Sequence, residues 1–119
     1  STSAVSDIFI RLNGYTTGYN STFSRLDSTS SGSSNYTTGV LLVSTTANNA
    51  ATDFFNGRVQ LETIRGYNFW QTSGSISEQA AVNMCLFNST FDSVSALNTL
   101  SINTSTGTFD SGTVYISWE

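Results

Sequence analysis

The sequence predicts an all-β protein of about eight short strands, arranged as a sandwich or a barrel. Uncharged polar residues dominate its 119 positions, with 39 Ser and Thr and 11 Asn, whereas Lys, His and Pro are absent. Aromatic residues make up 13% of the chain and, with many Val, Ile and Leu, suffice for one core. Short alternating segments recur between turn-forming residues, as in a series of paired strands. We therefore expect residues 1–119 to form one domain, with residues 1–6 as a flexible or partner-bound tail.

Three strands are predicted in the N-terminal third of the chain. Apolar residues alternate over residues 8–12, and the turn signal Asn13-Gly14 ends that strand. A second strand is predicted over residues 19–26, and a Ser- and Gly-rich loop is expected over residues 28–34. Residues 40–43 are Val-Leu-Leu-Val, an unbroken apolar run that predicts a strand covered on both faces.

The middle of the chain contains a predicted hairpin. Residues 48–52 suit either a loop or one helical turn, and Asn56-Gly57 marks a turn. Residues 58–64 alternate, with Val, Leu and Thr on one face and Arg, Gln, Glu and Ile on the other. Residues 67–72 are the predicted partner strand. Residues 74–78 are expected to form a loop.

The last third contains three more predicted strands. Residues 82–87 alternate, with Val, Met and Leu on one face and Asn, Cys and Phe on the other, which predicts a strand. Residues 91–97 are ambiguous, because the spacing of their apolar residues also suits a short helix. Leu100 and Ile102 begin the penultimate strand, and residues 113–118 form the last one.

That last strand is the clearest in the sequence. Val114, Ile116 and Trp118 share one face, and the turn residues before them include a glycine at position 112. We expect Val114 and Ile116 to face the core. Trp118, at the end of the same face, either completes the core or begins a subunit contact.

Charge and cysteine usage narrow the range of partners. Four Arg stand against eight acidic residues, so the net charge is −4, and no basic cluster is present that would favour nucleic acid. The longest apolar run is too short to span a membrane. Cys85 is the only cysteine, so no intramolecular disulfide framework is possible. We therefore predict neither nucleic acid nor membrane as a partner.

The repertoire for catalysis is small. Without His or Lys, and with one Cys, the usual nucleophilic triads and zinc ligand sets have no members. A glycosidase-like carboxylate pair stays formally possible among the eight acidic residues, most of which occupy turn or solvent-facing positions. These are Asp7, Asp27, Asp53, Glu62, Glu78, Asp92, Asp110 and Glu119. Residues 27–32 and 108–112 contain oxygen ligands that calcium accepts, although both segments are typical turns. The sequence predicts a non-enzymatic protein without a cofactor.

Aromatic residues are the candidate binding residues. Tyr67, Phe69 and Trp70 lie within four positions, and strand alternation places Trp70 on the face opposite to the other two. A large exposed ring suits either a subunit contact or stacking against a sugar, whereas packing in the core is the structural alternative. With Trp118, these residues form the predicted contact set for a second subunit or a glycan.

The end of the sequence resembles a known family of modules. Phe109-Asp110-Ser111-Gly112-Thr113-Val114-Tyr115-Ile116 is similar to the motif that closes many small β-sandwich modules of bacteriophage virion proteins. Residues 19–26 and 40–44 are similar to early strands of the same group. The chain departs from the family at its end, where Trp118-Glu119 replaces the usual Tyr-Gly.

This resemblance implies a fold, a location and partners. It implies a jelly-roll-like sandwich on the outside of a virion, often a trimer, which serves as a capsid decoration (cement) protein or as the tip of a tail fibre. Ser1 suits a complete small gene product without its initiator methionine, which favours a decoration protein. The expected partners are the viral capsid protein and further copies of the chain. The expected location is the capsid exterior, after assembly in the host cytoplasm, and the alternative function is a tail-fibre or receptor- and glycan-binding module.

Overall fold

A computed structural model describes residues 7–27, 31–43, 55–63, 69–78, 83–92, 95–109 and 111–118. Its eight strands are β1 Ile8–Leu12, β2 Tyr19–Asp27, β3 Ser31–Tyr36, β4 Val40–Val43, β5 Phe55–Thr63, β6 Phe69–Glu78, β7 Asn83–Asp92 and β8 Leu100–Thr104. They form a small sheet in the order β4-β1-β8 and a large sheet in the order β3-β2-β7-β6-β5. All neighbouring strands are antiparallel. The predicted all-β, antiparallel sandwich is confirmed.

The sandwich is built from nested strand pairs. β1 pairs with β8 in the small sheet, and β2 pairs with β7 in the large sheet. The chain therefore crosses between the sheets from β1 to β2 and from β7 to β8, and it crosses twice more to place β4 in the small sheet. β5, β6 and β7 follow one another as a meander.

The core lies between the two sheets and centres on β1 and β4. All four residues of β4 are buried, as the unbroken apolar run predicted. Apolar surface removed from water in this way is the main stabilising term of the fold. The buried cluster comprises Ile8, Ile10, Leu12, Tyr19, Phe23, Val40, Leu41, Leu42, Val43, Cys85, Phe87 and Phe91.

Three small hydroxyl residues form a row across the inner face of the large sheet. Ser21 lies opposite Ser89, and Ser89 lies opposite Thr72, and each of the three is 1% exposed. The Leu41 backbone N–H donates a hydrogen bond to Ser21 Oγ at 3.2 Å. β4 is thereby held against the large sheet by a polar contact inside an apolar core.

The turn after β1 is fastened to the segment that precedes β8. Asn13 has a φ of 52°, a left-handed conformation that Asn tolerates better than most residues. Its Oδ1 accepts the backbone N–H groups of Asn98 at 2.8 Å and Thr99 at 3.1 Å. Its Nδ2 donates to the Ala96 carbonyl at 2.9 Å. The predicted turn at Asn13-Gly14 is confirmed, and the Asn13 side chain joins the β1–β2 connection to the β7–β8 connection.

Tyr19 anchors the other side of the same turn. Its hydroxyl oxygen accepts the Leu12 N–H at 2.8 Å, and the hydroxyl lies 3.0 Å from the Tyr15 carbonyl oxygen, to which it donates. Its ring stacks on Phe91, with the ring centroids 4.5 Å apart. Burial raises the pKa of Tyr19, against the opposing effects of the Leu12 hydrogen bond and the Arg11 charge.

The predicted loop over residues 28–34 is wrong where the structure describes it. Ser31 begins β3, which pairs with β2 from Leu26↔Ser31 to Ser21↔Tyr36. β3 is an edge strand of Ser, Gly, Asn and Tyr, so it carries no apolar alternation that a sequence pattern could detect. Its backbone hydrogen bonds to β2, rather than its side chains, make it a strand.

The predicted turn at Asn56-Gly57 and the predicted loop at residues 74–78 are also wrong, because both lie inside the β5–β6 hairpin. Gly57 and Gly74 lie within paired strands, where the backbone of the partner strand and a neighbouring side chain occupy the space that a Cβ would need. A Cβ on Gly74 would lie 2.8 Å from the Phe87 ring, and one on Gly57 would lie 2.7 Å from Ile76 Cγ1. Glycine here permits close packing within a strand rather than a turn.

The predicted last strand, residues 113–118, is wrong as a strand of this fold. No residue from 112 to 118 is in a strand, and Val114 and Ile116, expected in the core, are 60% and 68% exposed. Alternation is sufficient for a strand to form only where an edge is within reach to satisfy its backbone groups. Residues 112–118 do not pair with any described strand, so their alternation is not converted into a strand here.

Several further expectations concern residues outside the described ranges. These are the tail at 1–6, the segment 48–52, and positions 28–30 of the predicted loop. Of the ambiguous segment 91–97, Phe91 and Asp92 end β7, and residues 95–97 are not helical. No helix occurs among the described residues, and hence none long and apolar enough to cross a membrane.

Candidate functional site

Two surfaces stand out on the described part of the molecule. The first is the C-terminal segment, residues 111–118, in which every side chain is exposed. Its large side chains include Tyr115 at 93% and Trp118 at 86% exposure. Scattered apolar side chains are normal on a protein surface, but four of them within five positions are not. This segment is an apolar surface that no described residue covers.

The second surface, termed the polar face, is the outer side of the large sheet. Strand register aligns side chains on this face in rows, one of which runs Asn35, Thr22, Asn88, Ser73 and Gln60 across all five strands. Directly opposite residues of neighbouring strands point to the same side of a sheet. The polar face therefore carries mainly amides and hydroxyls, with exposed Leu26, Met84 and Leu86 toward one end.

A shallow depression of about 340 Å³ lies on the polar face, over β5, β6 and β7. Its lining residues are Arg58, Gln60, Ser73, Gly74, Ser75 and Leu86. The next row contains Glu62, whose Oε1 accepts a hydrogen bond from Gln60 Nε2 at 2.6 Å. A guanidinium, an amide and hydroxyls around one apolar side chain suit a polar, uncharged or anionic ligand that carries several hydroxyl groups.

Trp70 lies on the opposite, inner face of the same sheet. It pairs with Phe91 and Thr63, and its partly buried ring packs against the core cluster. Its Nε1 is buried and has no hydrogen-bond partner among the described residues. The described contacts of Trp70 are thus core contacts, as in the structural alternative to sugar stacking.

The other predicted contact residues lie in different places. Tyr67 lies outside the described residues. Phe69 begins β6, half-buried, opposite Asp92, and its carbonyl accepts a hydrogen bond from Thr63 Oγ1 at 2.8 Å. Trp118 lies in the C-terminal segment. Phe69 and Trp70 are neighbours on opposite faces of β6, as alternation predicted, and their role in binding stays a prediction.

The acidic residues with described side chains lie on different strands. Asp7 precedes β1, Glu62 is in β5 and Asp92 ends β7. Within the described ranges, no three His, Cys, Asp or Glu side chains form a group that could hold a metal ion. The two segments considered for calcium fall partly outside those ranges, at the side chains of Asp27 and Asp110.

Sequence reasoning did not single out the depression on the polar face. The signal for it was present, because the alternation of residues 58–64 placed Arg58, Gln60 and Glu62 together on the face opposite Val59 and Leu61. What the alternation could not supply is the neighbouring strand. Ser73 and Ser75 come beside Gln60 and Arg58 only through the register of the hairpin, in which Gly57 and Gly74 allow the two strands to approach.

The resemblance to phage virion modules rests on short motifs, and the longest of them overlaps the C-terminal segment. The early-strand motifs coincide with β2 and with β4. Motifs of this length are compatible with many β-sandwich proteins. No protein-family model, no curated protein and no solved structure matches this chain significantly.

Proposed function

We propose that this chain is a non-enzymatic structural protein of a bacteriophage, a decoration or cement protein bound to the outer surface of the capsid. Its partners in this role are the capsid protein and further copies of itself, with the trimer as the state that the family resemblance favours. The proposal combines that resemblance with one structural observation, the exposed C-terminal segment. The chain acts through surfaces that bind other proteins.

The C-terminal segment supports an assembly role because its exposure is costly in a free protein. Val114, Tyr115, Ile116 and Trp118 are 60% to 93% exposed within five positions. Removing apolar surface from water contributes about 25 cal/mol per Å², and a Trp or Tyr buries on the order of 150–250 Å². Covering this segment with another protein surface would therefore stabilise the resulting complex substantially.

The polar face suits a lasting contact with a protein lattice. Amides and hydroxyls form hydrogen bonds directly and through water, and such contacts depend little on ionic strength. Only 10% of the residues are charged. We expect binding to capsids to persist at high salt.

Co-sedimentation with capsids of the virus that encodes the chain tests this proposal. Purified protein is expected to bind mature or expanded shells at a fixed ratio per capsid, with less than about a tenfold loss of affinity between 0.1 M and 1 M NaCl. Serum albumin and an unrelated phage shell serve as controls for trapping. Absence of binding to both forms of the shell would refute the decoration role.

A tail-fibre or receptor-binding module is the second candidate, and the depression on the polar face favours it. Arg58, Gln60 and Ser75 surround Leu86 there, an arrangement suited to the hydroxyls and the apolar ring face of a sugar. A glycan array with wild-type protein and Gln60→Ala protein tests this function. Binding that Gln60→Ala abolishes supports it, and no binding to any glycan removes it.

A further inference from the structure

The outer edge of β8 is open for pairing within the part of the chain that the structure describes. The Asn13 N–H donates to the Thr99 carbonyl at 2.9 Å, and the Ser105 N–H donates to the Asp7 carbonyl at 3.0 Å. In the antiparallel register of β1 and β8, these bonds make odd-numbered β8 residues the ones bonded to β1. The N–H and C=O groups of Leu100, Ile102 and Thr104 therefore point away from β1, toward the open edge.

The inner face of β8 is incompletely covered as well. Leu100 and Ile102 lie opposite Leu12 and Ile10, which places all four side chains on the core side of the small sheet. Leu12 and Ile10 are 0% and 3% exposed, whereas Leu100 is 38% exposed and Ile102 is half-buried. The described small sheet thus ends at β8, where Leu100 is left partly exposed and no described strand lies beyond it.

The C-terminal segment can supply the backbone groups and the apolar side chains that would complete the β8 edge. Val114, Ile116 and Trp118 occupy alternate positions, so an extended chain presents all three on one face. Residues 113–118 are six in number, against five in β8. We propose that residues 113–118 pair as an antiparallel fourth strand with the open β8 edge of a second copy of this chain, with Val114, Ile116 and Trp118 facing its core.

In this exchange each copy uses one donor segment and its β8 edge, so the assembly stops growing once every segment and every β8 edge is paired. Two copies that exchange segments reciprocally form a closed dimer, and a head-to-tail arrangement closes as a ring, such as a trimer. Main-chain hydrogen bonds supply affinity in this type of strand addition, and alternate side chains supply specificity. The inference deepens the proposed assembly role and rests on it only for its setting, because strand exchange is measured without any capsid.

The first test uses the alternation of side chains between the two faces of the donated strand. Ile116→Asp places a charge on the core side of the donated strand, whereas Tyr115→Asp places it on the solvent side. By analytical ultracentrifugation, wild-type protein is expected to be a closed oligomer of the 12.8 kDa chain. Ile116→Asp is expected to raise the dissociation constant by at least about 100-fold, because it buries an unpaired carboxylate. Tyr115→Asp is expected to change it by less than about threefold.

Tyr115 is the matched control because it is more exposed than Ile116, 93% against 68%. A contact that depends only on exposed apolar surface would lose at least as much from Tyr115→Asp as from Ile116→Asp. That outcome would overturn the proposal, and so would a wild-type chain that sediments as a monomer at about 100 µM, where even weak specific complexes form.

A mixing experiment separates donor from acceptor. Leu100→Lys points a charge inward at the edge and blocks strand addition, as natural edge strands do, while the exposed position tolerates it in a free chain. Leu100→Lys protein keeps its segment, and Ile116→Asp protein keeps its edge, so each alone is expected to be monomeric. Their mixture is expected to form a two-chain complex and nothing larger.

Two results of the mixing experiment would contradict strand exchange. If Leu100→Lys protein assembled like wild type, the segments would bind each other rather than the β8 edge. If the mixture stayed monomeric, the segment and the edge would not be complementary. Circular dichroism of each variant confirms its fold, and capsid co-sedimentation of the wild type remains a separate measurement that decides the decoration role independently.

Discussion

β1 and the C-terminal segment have the same sequence pattern and opposite environments. Both place three large apolar side chains at alternate positions. In β1 these side chains are no more than 7% exposed, whereas in the segment Val114 is 60% and Trp118 is 86% exposed. β1 has a strand on each side, β4 and β8, and no described strand pairs with the segment. The comparison shows that alternation specifies a strand with two faces, while available neighbours decide whether it is buried.

The largest difference is expected from removing one large side chain in each region. Leu12→Ala should lower the free energy of unfolding by about 2–5 kcal/mol, because Leu12 is fully buried and its loss leaves a cavity. Trp118→Ala should change the free energy of unfolding of the monomer by less than about 0.5 kcal/mol. Urea unfolding at about 1 µM protein, where association is weak, measures both. Unfolding of Trp118→Ala would show that Trp118 belongs to the core and would remove the contrast.

The turn after β1 contributes to this difference, because the Asn13 side chain fastens the end of β1 to the segment that precedes β8. Asn13→Ala should destabilise the fold by about 1–3 kcal/mol, because the N–H groups of Asn98 and Thr99 lose their acceptor and alanine is strained at positive φ. Asn13→Gly retains the backbone conformation and isolates the side-chain contribution. Asn98→Ala is the control, since only the backbone of Asn98 takes part. Equal stability of Asn13→Ala and wild type would refute the role of this side chain.

A smaller effect is expected at the row of Ser21, Ser89 and Thr72 on the inner face of the large sheet. Two substitutions in this row, each a control for the other, test how β4 is held against that sheet. Ser21→Ala leaves the buried Leu41 N–H without its acceptor and should cost about 1–2 kcal/mol. Ser89→Ala removes a buried hydroxyl that has no partner among the described residues, and should be neutral or stabilising by about 1 kcal/mol. Thermal unfolding of the two variants compares them directly. A larger loss of stability for Ser89→Ala than for Ser21→Ala would contradict the role of the hydrogen bond between the Leu41 N–H and Ser21 Oγ.

The smallest effect is expected from the pH dependence of Tyr19, which anchors the end of β1. Burial raises its pKa in the folded state above the unfolded value of about 10. The folded state therefore binds more protons in the window above pH 10, so stability is complete below that pH and falls as the pH rises through the raised pKa. Tyr19→Phe should lose this component and also be less stable at pH 7, since the Leu12 N–H loses its acceptor. Parallel slopes for wild type and Tyr19→Phe between pH 9 and 11 would refute the assignment.

The outcomes at particular elements show which patterns are informative. Alternation or an apolar run located β1, β2, β4, most of β5 and the first half of β7, because those strands have one or two apolar faces. β3 escaped detection because its residues are polar on both faces and only backbone pairing with β2 makes it a strand. Gly57 and Gly74 suggested turns, although each makes room for a neighbouring side chain inside a strand. A glycine signals that a Cβ is excluded, and it does not indicate the cause.

The candidate sites follow the same division. Arg58 and Gln60 were predictable as members of one face, and Trp70 was predictable on the face opposite Phe69. The depression on the polar face was not, because Ser73, Ser75 and Leu86 join it through pairings between three strands. The chemistry of a face is local, whereas its assembly into a site depends on register.

By itself, the sequence determined the class of the protein: an all-β domain of short strands, a sandwich or a barrel, with a polar surface of few charges and one small core. It also determined which residues alternate, because alternation depends only on neighbours along the chain. The tertiary structure decided which face turns inward, as in β7, where Cys85 and Phe87 are buried while Met84 and Leu86 are 45% and 40% exposed. It likewise decided which alternating segments find partners, because pairing depends on edges supplied by residues distant in the chain. The C-terminal segment carries the clearest strand pattern in the sequence, yet it pairs with no described strand of its own chain.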